Sequence, residues 1–315
     1  MTTRRLGTSD LSVFPLVLGG NTFGWTADAA ESDAVLDAFV GAGGNFVDSA
    51  ASYAQWKQGN SGGESEEILG SWMQSRRNRA QVIVATKVGK LIGSEGLSAS
   101  NIRTATDASL SRLKTDYIDV YYAHADDPET PIIETATAFD ALVKAGKVRH
   151  IGLSNYSGAR LAEYLEVAKA NNLALPVVVQ PHYNLVFRKE YESDLGPVAA
   201  RAGISCAPYF SLASGFLTGK YAQGASLDTA TRKQGVASYM NPTSEKVLNI
   251  VIEIAAELGA EPASVALAWL LTRPTVVGPI ASARVVEQLP ALLAATELTL
   301  SMDQLDRLTT ASDGL

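Results

Sequence analysis

The chain reads as an α/β protein, one (β/α)8 TIM barrel over residues 1–315 with an N-terminal β-hairpin. Three observations predict it. Short apolar, β-branched runs alternate with longer stretches of helical periodicity, the pattern of repeated βα units. The 315 residues, 46% of them hydrophobic, suit α/β barrels, which commonly reach this length as one domain. Asp48, Lys87 and His124 each follow such a run, at nearly equal intervals of about one strand–helix–strand step. A parallel barrel gathers its strand ends at one rim, where such folds hold their chemistry.

Taken in order, Arg4–Leu6 and Leu11–Phe14, joined by Gly7-Thr8-Ser9-Asp10, read as a hairpin over the barrel floor. Eight strand candidates follow: Leu16–Leu18, Asn45–Val47, Val82–Thr86, Tyr117–Tyr122, Val148–Leu153, Val177–Gln180, Ile204–Ala207 and Val276–Val277. Apolar residues at helical spacing predict helices over Ser32–Val40 and Ser65–Met73. Asn101–Leu113 is amphipathic, with Ser100 as its expected N-cap. Further helices are expected over Ile132–Lys144, Ala159–Lys169, Thr243–Leu258, Ala263–Leu271 and Val285–Ala294, and Glu261-Pro262 marks a helix start. Gly215 to Asn241, after the seventh strand, is the longest irregular stretch, and loops of that length in compact domains are usually functional. Gln55–Glu64 and Gly89–Ser98 are the other expected mobile loops on the same rim.

Composition narrows the function classes. A net charge of −7 without a basic block argues against nucleic acid as a partner. The longest apolar run, Ala263–Leu271, is too short to span a bilayer, so no membrane role is expected. Met1–Asp10 is polar and lacks an apolar signal core, and Cys206 is the sole cysteine. These features predict a cytoplasmic protein. Three histidines without ligand spacing predict no metal site.

The residue types at the strand ends point to proton chemistry. Tyr53, one short loop beyond Asp48, is the candidate general acid. A free phenol has a pKa of about 10, and an ammonium from Lys87 is expected to lower it. Asp48 is expected to hold that lysine charged, and His124 to direct a hydrogen bond at a substrate oxygen. Other strand ends supply Ser154, Asn155 and Gln180, able to pair with an amide, and Tyr209, a flat face for stacking. Ser282 and Arg284 stand after the last strand, a favoured phosphate site in barrels. Jointly they describe a ligand with an amide, a flat ring and a phosphate, as in a nicotinamide dinucleotide. Trp25 and Trp56, in rim loops, are candidate substrate-pocket walls.

Asp48-Ser49-Ala50-Ala51-Ser52-Tyr53, Ala85-Thr86-Lys87, His124, Gly152-Leu153-Ser154-Asn155-Tyr156 and Gln180-Pro181-His182-Tyr183-Asn184 together resemble the motif series of the aldo-keto reductases. Gly219-Lys220-Tyr221 further resembles the bacterial branch and the potassium-channel β subunits. The resemblance runs from Arg5 to about Leu300. It implies NADP(H) bound across the rim without a Rossmann domain, and a small-molecule aldehyde or ketone as substrate. By the family pattern, Tyr53 gives the proton, Lys87 with Asp48 tunes it, and His124 orients the carbonyl. Ser154, Asn155 and Gln180 hold the carboxamide and Tyr209 stacks on the nicotinamide. Gly20 and Asn21 open the cofactor cleft. Leu212, Ser214 and Lys220 lie along the pyrophosphate, while Arg284 meets the 2′-phosphate, flanked by Gln288.

The chain departs from the pattern in places. Ala125, where the family often has tryptophan, is followed by Asp126 and Asp127, which implies a wider pocket with added negative charge. Phe210-Ser211 replaces Ser-Pro, and Ala291-Leu292 replaces Glu-Asn at the adenine end. A chain ending at Leu315 carries no long C-terminal loop, which implies an open site and broad substrate tolerance. Besides the carbonyl reductase, two readings remain: a nicotinamide-binding regulatory module resembling channel β subunits, and a lyase using Lys87 as a Schiff-base amine. The oligomeric state is not fixed by the sequence.

Overall fold

The computed structural model describes residues 3–220 and 233–315. Eight parallel strands form one curled sheet in which sequential strands are neighbours and the eighth lies beside the first. The strands are Val17–Gly19, Phe46–Asp48, Ile83–Val88, Ile118–Ala123, Val148–Ser154, Pro176–Gln180, Ser205–Cys206 and Ile280–Ala281. The ring closes between the seventh and eighth through Val277 N–H to Cys206 O (2.9 Å) and Ile280 N–H to Pro208 O (2.9 Å). The expected eighth strand, Val276–Val277, is thereby corrected. Val276 only bridges Cys206, whereas Ile280 and Ala281 pair with Val17 and Leu18. Gly278-Pro279 separates the two pairing segments, and the proline has no N–H for a ladder.

The hairpin forms between Arg4–Arg5 and Ser12–Val13. Leu6, Leu11 and Val13 plug the lower end of the barrel, packing with Val17, Phe46 and Ile83. Gly7, at φ +54°, lies so close beneath the sixth strand that a Cβ there would overlap the Val177 carbonyl. Glycine meets both demands, the left-handed backbone and the close approach.

Helices cover the outside. The expected Ile132–Lys144 is observed unchanged, and Pro262–Leu271 begins with proline in its first turn. The helix Ala99–Leu113 is capped by Ser98, which accepts from Asn101 N–H, rather than by Ser100. Among the helical segments that lack an expectation are the π-turn Tyr191–Leu195 running into Gly196–Arg201, and Met302–Ala311. Gly196-Pro197 masks the first as a loop signal. The second is announced by a capping box, Ser301 with Gln304. The Gly89–Ser98 loop is an ordered hairpin, Lys90–Leu91 against Ser94–Glu95, tied down by the Asn101 amide to the carbonyls of Ser94, Glu95 and Gly96.

Strand parity aims the chemistry inward. Side chains two apart share a face. Phe46, Ile83, Ala85, Val120, Tyr122 and Ala207 fill the barrel interior. Asp48, Lys87, His124 and Tyr209 are the next residues of those faces. Asp48 lies opposite Ala85 and Lys87 opposite Tyr122. The pleat that packs the core therefore delivers the polar groups to the axis, at the carboxyl rim.

Candidate active site

At the bottom of that rim lies a closed network. The Lys87 ammonium donates to Asp48 Oδ2 (2.6 Å), to Ser49 O (2.7 Å) and to the Tyr53 hydroxyl (2.7 Å). All three N–H groups are used, which leaves no nucleophilic lone pair and speaks against a Schiff base. Tyr53 donates in turn to Asp48 Oδ2 (3.0 Å), and Gln180 Nε2 donates to Asp48 Oδ1 (2.9 Å). Lys87 and Asp48 are almost entirely buried. His124 Nδ1 meets the Ser52 hydroxyl at 3.3 Å, and its ring lies 6.1 Å from that of Tyr53.

The electrostatics correct one expectation. Burial, then the Asp48 carboxylate, push the Tyr53 phenol well above its usual range. The Lys87 ammonium, 2.7 Å from the hydroxyl, does not reverse these two effects. Burial also lowers the Lys87 pKa, against the opposing pull of Asp48. Tyr53 thus stands as a neutral phenol at pH 7.

Burial, with Lys87 and Lys90 adding repulsion, pushes His124 well below the usual imidazole range. Burial takes His182 down to about 4. An unfolded chain protonates both near pH 6.5. Below that pH the unfolded state binds more protons, so stability rises with pH in this window and is lost as pH falls from about 6.5 to about 4. Urea midpoints measured from pH 7 to 4.5 should drop less steeply in His182→Phe than in the parent; parallel curves would contradict this.

Above the network opens a cavity of about 940 Å³, near the upper end of the roughly 300–1,000 Å³ usual for ligand sites. Tyr53, His124 and Trp56 line it side by side. Ser154, Asn155, Gln180 and Tyr209 follow, then Leu212, Ser214 and Lys220. Asn21, Ser282, Arg284 and Gln288 line it as well. Ser282 donates to Asn21 Oδ1 (2.5 Å), and Gln288 Oε1 accepts from Arg284 N–H (2.9 Å). Tyr209 donates to Asn155 Oδ1 (2.7 Å), Asn155 Nδ2 donates to the His124 carbonyl (2.8 Å), and Ser154 donates to Gln180 O (2.9 Å). Beneath Tyr209 the His182 ring stacks at 5.5 Å, and Phe187 stacks on His182 at 3.7 Å.

Asp48 and Lys87 are not part of the lining, and three of the residues expected to wall the cavity also lie outside it. Gly20 is buried, with its carbonyl taken by Ser65, and Gly19 faces the cavity instead. A Cβ at Gly19 would sit 2.5 Å from Ser282 Oγ. Trp25 does not line the cavity; it braces Trp56 edge-on at 5.4 Å. Ala125 is also absent from the wall. The negative charge expected beside it is neutralised or turned away. Arg160 grips Asp126 at 2.8 and 2.9 Å, while Asp127 accepts from Leu97 N–H and the Thr130 hydroxyl. Tyr221 and most of the long loop after it lie outside the described residues.

Sequence reasoning missed Ser52, Lys90 and Phe210. Ser52 precedes Tyr53 and meets His124, but a loop serine carries no periodic signal. Phe210 stands where the family pattern has another residue; its backbone is left-handed (φ +52°), as are those of Asn155 (+56°) and Ser214 (+59°). All three line the cavity. Such conformations cost of order 1–3 kcal/mol each and cluster at functional sites.

The cavity suits a nicotinamide dinucleotide in its donor set: carboxamide partners and an aromatic platform beside Tyr53, and the cations Lys220 and Arg284 farther along. The family model described as "Aldo/keto reductase family" matches residues 15–313. Among curated relatives, a protein of Oryza sativa subsp. japonica named probable voltage-gated potassium channel subunit beta is 35% identical, over 93% of this chain and 91% of its own. The uncharacterized oxidoreductase YrpG of Bacillus subtilis is 33% identical, over 95% and 92%. The norsolorinic acid reductase stcV of Emericella nidulans is 32% identical, over 94% and 77%.

Proposed function

Because this chain belongs to the aldo/keto reductase family, we propose that it is an NADPH-dependent reductase of aldehydes and ketones, reversible on alcohols. The observation that carries this reading is the Tyr53 hydroxyl, held between Lys87 and Asp48 at the floor of the cavity. The bound nicotinamide supplies the hydride. The protein's own residues do the rest. Ser154, Asn155 and Gln180 orient the carboxamide, and Tyr209, backed by His182, presses on the ring. His124 is neutral at pH 7. Its Nδ1 lies 3.3 Å from the Ser52 hydroxyl, and the tautomer with its proton on Nε2 is the one that can donate to a carbonyl oxygen. As negative charge grows on that oxygen, Tyr53 turns its proton from Asp48 to it. The Lys87 ammonium, 2.7 Å away, compensates the phenolate left behind. Asp48 keeps the ammonium in place throughout.

The test is consumption of reduced cofactor with a panel of aldehydes, ketones and sugars. Turnover supports the reductase. Tight cofactor binding without turnover favours a second reading, a nicotinamide-binding regulatory module, to which the name of the rice relative lends weight. For cofactor choice, Arg284→Ala should weaken NADPH relative to NADH by about tenfold, the loss of one charge-assisted phosphate contact of roughly 1.4 kcal/mol. Equal effects on both cofactors in a binding titration would remove Arg284 from the 2′-phosphate.

A further inference from the structure

We propose that Lys90 forms an anion subsite at the substrate end of the cavity, selecting flat carbonyl compounds that also carry a carboxylate. The inference rests on the reductase reading and names its substrate class. Lys90 lines the same cavity as Tyr53, His124 and Trp56. Among the described residues no carboxylate pairs with its ammonium. Glu95, its partner across the hairpin register, turns instead to Gly93 N–H (2.9 Å). Of the two acids just after His124, Asp126 is held by Arg160, and Asp127 accepts from Leu97 N–H and the Thr130 hydroxyl. The Lys90 charge is felt at His124, where it helps hold the imidazole neutral. A cation with no paired carboxylate among the described residues stands out in this wall in a chain of net charge −7.

The hairpin fixes the base of this side chain. Gln55 donates to the Lys90 carbonyl (3.1 Å) and accepts from Ile92 N–H (3.0 Å), which ties the hairpin to the loop bearing Trp56. Trp56 is 50% exposed, held edge-on by Trp25. A ring of this size left half open offers a wall for a flat substrate. Lys90 is an exposed residue of the hairpin, and partial burial lowers its pKa. An anion there would gain a charge-assisted hydrogen bond.

The experiment compares kcat/KM for the three isomeric carboxybenzaldehydes with their methyl esters, in the parent and in Lys90→Met and Lys90→Arg. The parent should favour at least one acid over its ester. Lys90→Met should cut that acid-to-ester ratio by about tenfold through KM, and Lys90→Arg should restore most of it. An unchanged ratio in Lys90→Met, or no preference for any acid in the parent, overturns the subsite. If no aldehyde is turned over, the reductase reading fails by itself. The subsite is then judged by calorimetric binding of benzoate, which must weaken in Lys90→Met; equal binding sinks it.

Discussion

Tyr53→Phe should bind NADPH as the parent does and reduce aldehydes about 10³-fold more slowly, within the roughly 10²–10⁴-fold range of a positioned acid. The substitution deletes one oxygen and keeps the ring beside Trp56 and His124. Lys87 retains Asp48 and Ser49 as acceptors, so the fold should lose only about 1 kcal/mol, the net worth of a typical hydrogen bond. The loss should fall on kcat, since the missing proton matters only as charge develops on the substrate oxygen. Steady-state rates and a fluorescence titration with NADPH separate the two effects. Near-parental kcat would assign the proton to another group.

Lys87→Met should lose both activity and stability. It strands a buried carboxylate: Asp48 is about 2% exposed and loses the ammonium 2.6 Å away. Breaking such a pair costs about 3–5 kcal/mol. In Asp48→Asn/Lys87→Met both charges are gone, and much of that stability should return while turnover does not. Urea denaturation of the single and double variants measures the coupling. A Lys87→Met protein as stable as the parent would mean that water, or protonation of Asp48, relieves the charge cheaply.

Parity explains why so much of the site was legible. Residues at strand ends inherit the face set by the core residues two and four positions earlier. Asp48 follows Phe46, Lys87 follows Ile83 and Ala85, and His124 follows Val120 and Tyr122. The periodicity that announces a strand therefore announces where its last side chain points. It fails where pairing is short. The eighth strand has two residues, and the more β-like Val276-Val277 drew the expectation away from Ile280–Ala281. It is silent outside the barrel strands, where Ser52 sits in a turn, Phe210 in left-handed backbone and Lys90 in the short rim hairpin. The sign of the Tyr53 shift was also out of reach. It depends on Asp48 lying within 3.0 Å of the phenol as well as of the ammonium, a triangle no spacing reveals.

The central claim is that this cavity brings a hydride donor and a carbonyl together beside Tyr53. Cofactor carrying deuterium at its transferable position tests it most directly, with the alcohol product examined by mass spectrometry. The account predicts one deuterium on the carbinol carbon for each cofactor oxidised in the parent protein, and almost no labelled alcohol from Tyr53→Phe over the same interval. Alcohol without the label, or labelled alcohol formed by Tyr53→Phe at the parental rate, would contradict it.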